Sequence, residues 1–182
     1  ELIVDAAGAW ADMVAARCGI APVGIQPYRR TVAQLRLGVP ITADLPLIVH
    51  VGGDFYFKGA GEGRVWLSPH DETPSEPCDA APEEWDVAVA IERMQSVVDW
   101  PVAAVERKWA GLRSFAPDRL PVFGADPAEP AFVWCAGQGG FGIQTSPAIG
   151  ALLAAQLGAP APGGAIGAVD AAAYAPGRFG AR

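Results

Sequence analysis

The hydrophobic positions of this chain recur with two periods, one typical of helices and one typical of strands. A spacing of three to four residues predicts three helices: one that begins near Trp10 and stops at Gly19, one that begins at Pro82, and one over residues 146–157. In the second helix Glu83 and Glu84 fall in the first turn, where the helix dipole favours negative charge.

Alternating and β-branched runs, separated by turns that contain glycine, predict the strands. These runs cover residues 1–7, 25–37, 45–51, 54–58, 64–68, 102–115, 121–124 and 131–136. Because short turns join many neighbouring runs, we expect a mixed, largely antiparallel sheet flanked by helices, an α+β (α/β) fold. The residues after Pro160 are rich in Ala, Gly and Pro, which predicts a loosely held tail.

Composition narrows the class of protein. The chain has 182 residues, of which 51% are hydrophobic and 18% charged, which is enough apolar material for a packed core. A net charge of −7 without a basic run argues against nucleic acid as a partner. No apolar stretch is long enough to predict a membrane span.

Metal and disulfide chemistry are not expected. The cysteines are Cys18, Cys78 and Cys135, an odd number far apart without CxxC spacing, and the histidines are His50 and His70. So few soft ligands predict no metal site. Reduced cysteines are typical of a cytoplasmic protein, and that is the expected location.

The stretch CAGQGGFGIQTSP, residues 135–147, places four glycines between an apolar strand and a helix. Glycines let the backbone approach a ligand, and the start of a helix attracts negative charge. Gly137, Gly139 and Gly142 match GxGxxG, but no acidic residue follows about twenty residues later in a βαβ unit, and the P-loop pattern is absent. A simple tight turn would carry the same glycines, so that alternative stays open.

Other stretches carry candidate chemistry. Arg113 in WAGLRSF stands among aromatic residues and suits a bidentate clamp for a carboxylate, although a structural ion pair fits equally well. Tyr56 in DFYFK is a candidate hydroxyl donor, and a core or edge tyrosine is the alternative. Arg29 and Arg30 are adjacent on a strand, so one is expected to face inward and the other outward.

Five stretches together carry a resemblance to a known family. In chain order they are VDAAGAWAD, GIQPYRRT, DFYFKGAGEG, KWAGLRSFAPDRLPVFGADP and FVWCAGQGGFGIQTSPAIG. Over residues 1–157 the chain resembles the FAD-dependent D-amino acid oxidase-like family, which includes glycine oxidase, sarcosine oxidase and D-amino acid dehydrogenases. FYFK, WAGLRSF and QGGFGIQTS are most similar to the D-arginine dehydrogenase-like branch.

The resemblance implies FAD as cofactor and a set of site residues. It implies that Arg113 and Tyr56 bind the substrate carboxylate and that an arginine of the PYRR stretch lies near the substrate. The choice between Arg29 and Arg30 stays open, and Arg30 is the one included in the set below. The implied catalytic set is Tyr56, Arg113, Arg30, Gly140 and Gln144. The implied cofactor contacts are Ala7, Gly8, Ala9, Trp10, Gly139, Gly140, Phe141, Gly142, Ile143, Gln144 and Thr145.

The implied reaction is oxidation of an amino acid, expected to be a D-amino acid, to an imino acid by hydride transfer to the flavin. A glycine or sarcosine oxidase-type enzyme is one alternative, and a non-catalytic small subunit that completes a site with a separate FAD-binding chain is another. Because the family's dinucleotide fingerprint is absent, we expect the C-terminal part of such an enzyme, inactive without its N-terminal half.

The resemblance also predicts how the chain is divided. Residues 1–19 and 116–158 are assigned to the FAD-binding domain, residues 20–115 to the substrate-binding domain, and residues 159–182 to a C-terminal tail.

Overall fold

The computed structural model describes residues 1–180, which fold into two compact units. Unit 1 comprises Glu1–Pro27 together with the residues from Arg113 onward, and unit 2 comprises Tyr28–Leu112. The strands are β1 (Ile3–Asp5), β2 (Gln26–Leu37), β3 (Ile48–Val49), β4 (Tyr56–Gly61), β5 (Arg64–Ser68), β6 (Thr73–Pro74), β7 (Val102–Phe115), β8 (Val122–Ala125) and β9 (Phe132–Ala136). The helices are α1 (Ala11–Arg17), α2 (Glu84–Gln95), α3 (Gly142–Gln156) and α4 (Gly164–Gly167).

Unit 1 is a small sheet covered on both faces. Its strand order is β1-β9-β8, with β1 parallel and β8 antiparallel to β9. Trp134, which is fully buried, packs with Ala11 and Ala15 of α1. Its neighbour Val133 points to the other face and packs with Leu152 of α3.

Unit 2 is a largely antiparallel sheet with one helix against it. The strand order is β3-β4-β5-β2-β6, and β7 also pairs with β2. Val87, Ala90 and Met94 form the buried stripe of α2, which packs on a core that includes Phe57 and Leu67. The mixed, largely antiparallel sheet expected from the sequence is therefore confirmed.

The closing helix begins four residues earlier than predicted. It starts at Gly142 and contains Pro147, which has no amide hydrogen to donate to the carbonyl of Ile143. The Ser146 hydroxyl donates a hydrogen bond of 2.9 Å to that carbonyl instead, so the helix continues through the proline. No helix within residues 1–180 is both long and apolar enough to cross a membrane.

The expectation of a loosely held tail is wrong for residues 171–179, and residues 181 and 182 lie outside the described part of the chain. Beyond α4, the chain forms two 3-10 turns, Ala171–Tyr174 and Pro176–Phe179. Tyr174 stacks on Phe123 with ring centroids 4.8 Å apart, and Phe179 packs against the core around Trp134. A few aromatic side chains thus anchor a segment whose overall composition resembles a linker.

We predict that Glu106 makes unit 2 sensitive to acid. Hydrogen bonds from Gln34 and Arg64, helped by the charge of Arg36, lower the pKa of this carboxyl from 4.5 to about 2. A lowered pKa in the folded state means that the stabilisation is present above pH 4.5 and is lost as the pH falls towards 2. Thermal unfolding midpoints should therefore fall more steeply over this range in the wild type than in Glu106→Gln.

The control is Glu92→Gln, which removes an exposed carboxylate of unit 2 without ion-pair partners among residues 1–180. It should keep the wild-type slope. Equal slopes for the wild type and Glu106→Gln would contradict the prediction.

Candidate functional site

The glycine-rich loop, residues 137–140, lies antiparallel to the end of β7. Phe115 and Gln138 form an antiparallel bridge. The amide of Gly139 donates a hydrogen bond of 2.9 Å to the carbonyl of Ser114. The loop is therefore held to the strand through its backbone.

The loop also lies close to β7 and the residue after it at both of its ends. A Cβ placed on Gly137 would lie 3.3 Å from the amide nitrogen of Ala116. A Cβ placed on Gly140 would lie 3.0 Å from Nη1 of Arg113. The loop backbone thus lies directly against the Arg113 guanidinium, and the structure brings two of the predicted site residues together.

Gly139 shows why this loop requires glycine. Its φ is +54°, in the left-handed region that favours glycine. A Cβ there would overlap the Phe115 ring, at 2.8 Å from Cδ1 and 2.9 Å from Cζ. The glycine cluster therefore permits a close backbone approach to β7, which a simple turn would not need.

Arg113 is half-buried and has no acidic partner within residues 1–180. Other covered arginines of the chain behave differently: Arg29 pairs with Glu83 and Arg178 with Asp118. The structural ion pair that the sequence left open is thus absent from the described residues. An unpaired guanidinium beside glycine backbone can donate two parallel hydrogen bonds to a planar carboxylate.

Helix α3 begins directly after this loop, and its first amides are uncapped. Phe141 is the N-cap residue and provides no side-chain hydrogen bond, and no acidic residue lies in the first turn. The Thr145 hydroxyl bonds back to the Phe141 carbonyl at 2.8 Å. The positive end of the helix dipole is therefore not neutralised by the helix itself.

The turn after β1 lies at the same edge of the sheet as the glycine-rich loop. Strands β1 and β9 run parallel with Asp5 opposite Trp134, so the segments that follow them emerge together. Asp5 Oδ1 accepts a hydrogen bond of 3.0 Å from the amide of Ala7, just before the 3-10 turn Gly8–Trp10. The predicted cofactor residues of both segments thus share one edge.

Asp5 is a residue at this edge that the sequence analysis did not single out. Its side chain is almost fully buried, which raises the pKa of the carboxyl. Its Oδ2 has no hydrogen-bond partner within the described part of the chain. An acidic residue at the end of an apolar strand was the signal available in the sequence.

Tyr56 belongs to unit 2 and points away from the core of that unit. It pairs with Ser68 across β4 and β5, and the next residue, Phe57, is 1% exposed in the core. The Tyr56 and His70 rings form a T-shaped pair with centroids 5.5 Å apart. Its hydroxyl makes no hydrogen bond to residues 1–180, so it is available to donate one.

Arg29 and Arg30 are both engaged within unit 2. Their side chains are 15% and 5% exposed, so neither faces freely outward. Arg29 pairs with Glu83. Arg30 donates a hydrogen bond of 2.7 Å to the Asp71 carbonyl and pairs with Glu72 at 3.3 Å. A role for either arginine at the substrate stays a prediction.

No three potential metal ligands converge anywhere in residues 1–180. The polar groups near these loops are instead the Arg113 guanidinium, the amides at the start of α3 and the buried carboxyl group of Asp5. Together with a glycine-rich loop after a parallel strand, they form the kind of site that binds a nucleotide cofactor at the carboxyl ends of strands.

Comparison with known proteins agrees with this class. Residues 1–156 match the DAO family, described as FAD dependent oxidoreductase. The match covers most of the chain, and the chain belongs to this family.

Solved structures share the fold. L-proline dehydrogenase from P. horikoshii superposes with a TM-score of 0.80 at 22% identity, covering 98% of this chain and 46% of that protein. Glycine oxidase from Geobacillus kaustophilus gives a TM-score of 0.74 at 25% identity, covering 96% of this chain and 45% of that protein.

One curated relative is the FAD-dependent oxidoreductase domain-containing protein 1 of Xenopus laevis. It is 26% identical over 175 residues, which are 85% of this chain and 34% of the relative. The chain thus spans about a third of this relative and less than half of the two solved structures.

We predict that Gly139→Ala lowers the free energy of unfolding by roughly 2–4 kcal/mol, because it combines a left-handed non-glycine residue with overpacking against Phe115. Chemical denaturation with a probe of unit 1 measures the change. The control is Gly150→Ala, at a helical position with no atom within 4 Å of the added Cβ. The control should be neutral or stabilising, and equal effects of the two substitutions would refute the close approach.

Proposed function

We propose that this chain supplies the substrate-carboxylate and flavin-ring parts of an FAD-dependent enzyme that oxidises an amino acid to an imino acid. The observation that carries the proposal is the Arg113 guanidinium. It is half-buried, lies against the backbone of Gly140, and has no acidic partner within residues 1–180. A covered cation of this kind is stable when a ligand supplies the opposite charge.

The residues at the sheet edge fit a flavin ring. The uncapped start of α3 offers amides and a positive dipole to a group that gains negative charge on reduction. Phe141 and Ile143 are apolar but 54% and 95% exposed. Such side chains next to a bare glycine backbone suit contact with a planar ring.

When bound, FAD would supply the acceptor for a hydride from the α-carbon of the substrate. Arg113 binds the substrate carboxylate through its guanidinium fork and so orients the α-carbon. Tyr56, whose hydroxyl makes no hydrogen bond to residues 1–180, is a further candidate donor to a substrate carboxylate. The substrate amine is neutral when the hydride leaves, and its lone pair forms the C=N bond. Water then hydrolyses the imino acid to a keto acid and releases ammonia.

We propose a D-amino acid as substrate, on the likeness of FYFK, WAGLRSF and QGGFGIQTS to the D-arginine dehydrogenase-like branch. The similarity to glycine oxidase at 25% identity favours glycine or a small secondary amine as the second candidate. A substrate panel of D-amino acids, glycine and sarcosine separates the two.

We further propose that additional polypeptide, on the same or a separate chain, completes the FAD site. Ile3 and Val4 of the parallel edge strand β1 are 47% and 48% exposed, and Leu2 just before it is 50% exposed. Parallel sheets normally have both faces and their neighbouring strands covered. The share of each relative that this chain spans supports the same proposal.

In the complete enzyme, Arg113→Ala should raise KM for the amino acid steeply, with a loss of about 2–5 kcal/mol in binding because the carboxylate loses its charged partner. The KM of Arg113→Lys should lie between those of the wild type and Arg113→Ala, because lysine keeps the positive charge but cannot form the bidentate pair. The control is Arg107→Ala, an exposed arginine on the same strand. An unchanged KM in Arg113→Ala would remove this residue from the site.

The isolated 182-residue chain should show no flavin-dependent turnover. Joined to polypeptide that corresponds to the part of its solved relatives it does not cover, it should be yellow and should reduce a dye with an amino acid. The visible absorbance of bound flavin and the reduction of a dye, measured on the isolated chain and on the joined protein, check both expectations. A folded but colourless joined protein would refute the FAD proposal, and turnover by the isolated chain would refute the incomplete site.

A further inference from the structure

The last 3-10 turn, Pro176–Phe179, is hydrogen-bonded to the loop that follows β7. Arg178 donates two hydrogen bonds to the carboxylate of Asp118, at 2.7 and 3.0 Å. Its remaining donors reach the carbonyls of Leu120 at 3.0 Å, Tyr174 at 2.7 Å and Ala175 at 3.2 Å. The bidentate pair also lowers the pKa of the Asp118 carboxyl. One guanidinium therefore links the tail to this loop.

Arg119, directly after Asp118, adopts a backbone conformation that needs such support. Its φ is +65°, which is uncommon for a residue with a side chain. Its amide donates a hydrogen bond of 2.9 Å to the Ala116 carbonyl. The turn brings the Arg119 guanidinium to 4.0 Å from the centre of the Phe115 ring, the ring against which Gly139 packs.

We propose that Arg178 is a positioning residue for the glycine-rich loop. By fixing Asp118 it holds Arg119 on the Phe115 ring, and the ring in turn fixes Gly139 beside β7. The loop then presents Gly140 to Arg113 in a single place. The inference builds on the proposed function, because that function assigns this loop to the flavin ring and the substrate carboxylate.

Amide hydrogen exchange, measured residue by residue by NMR on the 182-residue chain, tests the proposal without a cofactor. In Arg178→Lys, which keeps the charge but loses the bidentate fork, the Gly139 amide should exchange roughly tenfold faster, as expected when a charged hydrogen bond is lost. The Asp126 amide, bonded to the Phe132 carbonyl at 2.8 Å, should change less than about twofold. Arg17→Lys, at an exposed arginine with no partner in the described residues, should change neither amide.

A second variant tests the contact between Arg119 and Phe115 separately. Arg119→Leu leaves the Arg178–Asp118 pair in place and removes the guanidinium from Phe115, and it should accelerate the Gly139 amide in the same selective way. If Arg178→Lys does not fold, Arg119→Leu decides the outcome.

An unchanged Gly139 rate in the folded variants would overturn the proposal. Equal acceleration of Gly139 and Asp126 would also overturn it, because that result describes a general loss of stability. Absence of FAD binding by the joined protein would count against the proposed function alone, since the exchange measurement needs no flavin.

Discussion

The close backbone contact between residues 137–140 and the end of β7 is the constraint on which the candidate site depends. It requires glycine at position 139, because a Cβ there would overlap the Phe115 ring. It leaves Arg113 against bare backbone with its guanidinium unpaired within residues 1–180. Helix α3 begins at Gly142, two residues after Gly140, so the positive end of its dipole directly follows the segment that contacts the Arg113 guanidinium.

The arginines of this chain differ in whether an acidic side chain pairs with them, and this difference distinguishes the structural arginines from the candidate site residue Arg113. Arg29, Arg30 and Arg64 are held by carboxylates within unit 2. Such pairs neutralise covered cations and order the loops that carry the acids. Arg113 is half-buried without that compensation. This contrast, more than the presence of an arginine, favours a ligand with a carboxylate.

The sequence predicted the regular parts of the fold well and the contacts of the site poorly. Strands β5 and β7 have the predicted bounds. In β5, buried Val65 and Leu67 alternate with exposed Trp66, as expected of a strand with one buried face. The start of α3 was misplaced, since glycines and Pro147 hide a helix that Ser146 helps to continue. Arg113 and Gly140 were each identified, but their contact depends on a backbone register that no local pattern contains. Likewise, only the structure shows that Arg29 and Arg30 form ion pairs with acidic side chains.

A crystal structure of the complete enzyme with FAD and a bound amino acid tests the central claim most directly. We expect the substrate carboxylate about 3 Å from both terminal nitrogens of Arg113, in a bidentate pair. We also expect the flavin ring against Gly139–Gly142 at the start of α3. A carboxylate bound elsewhere with Arg113 still free, or a flavin ring remote from this loop, would contradict the account.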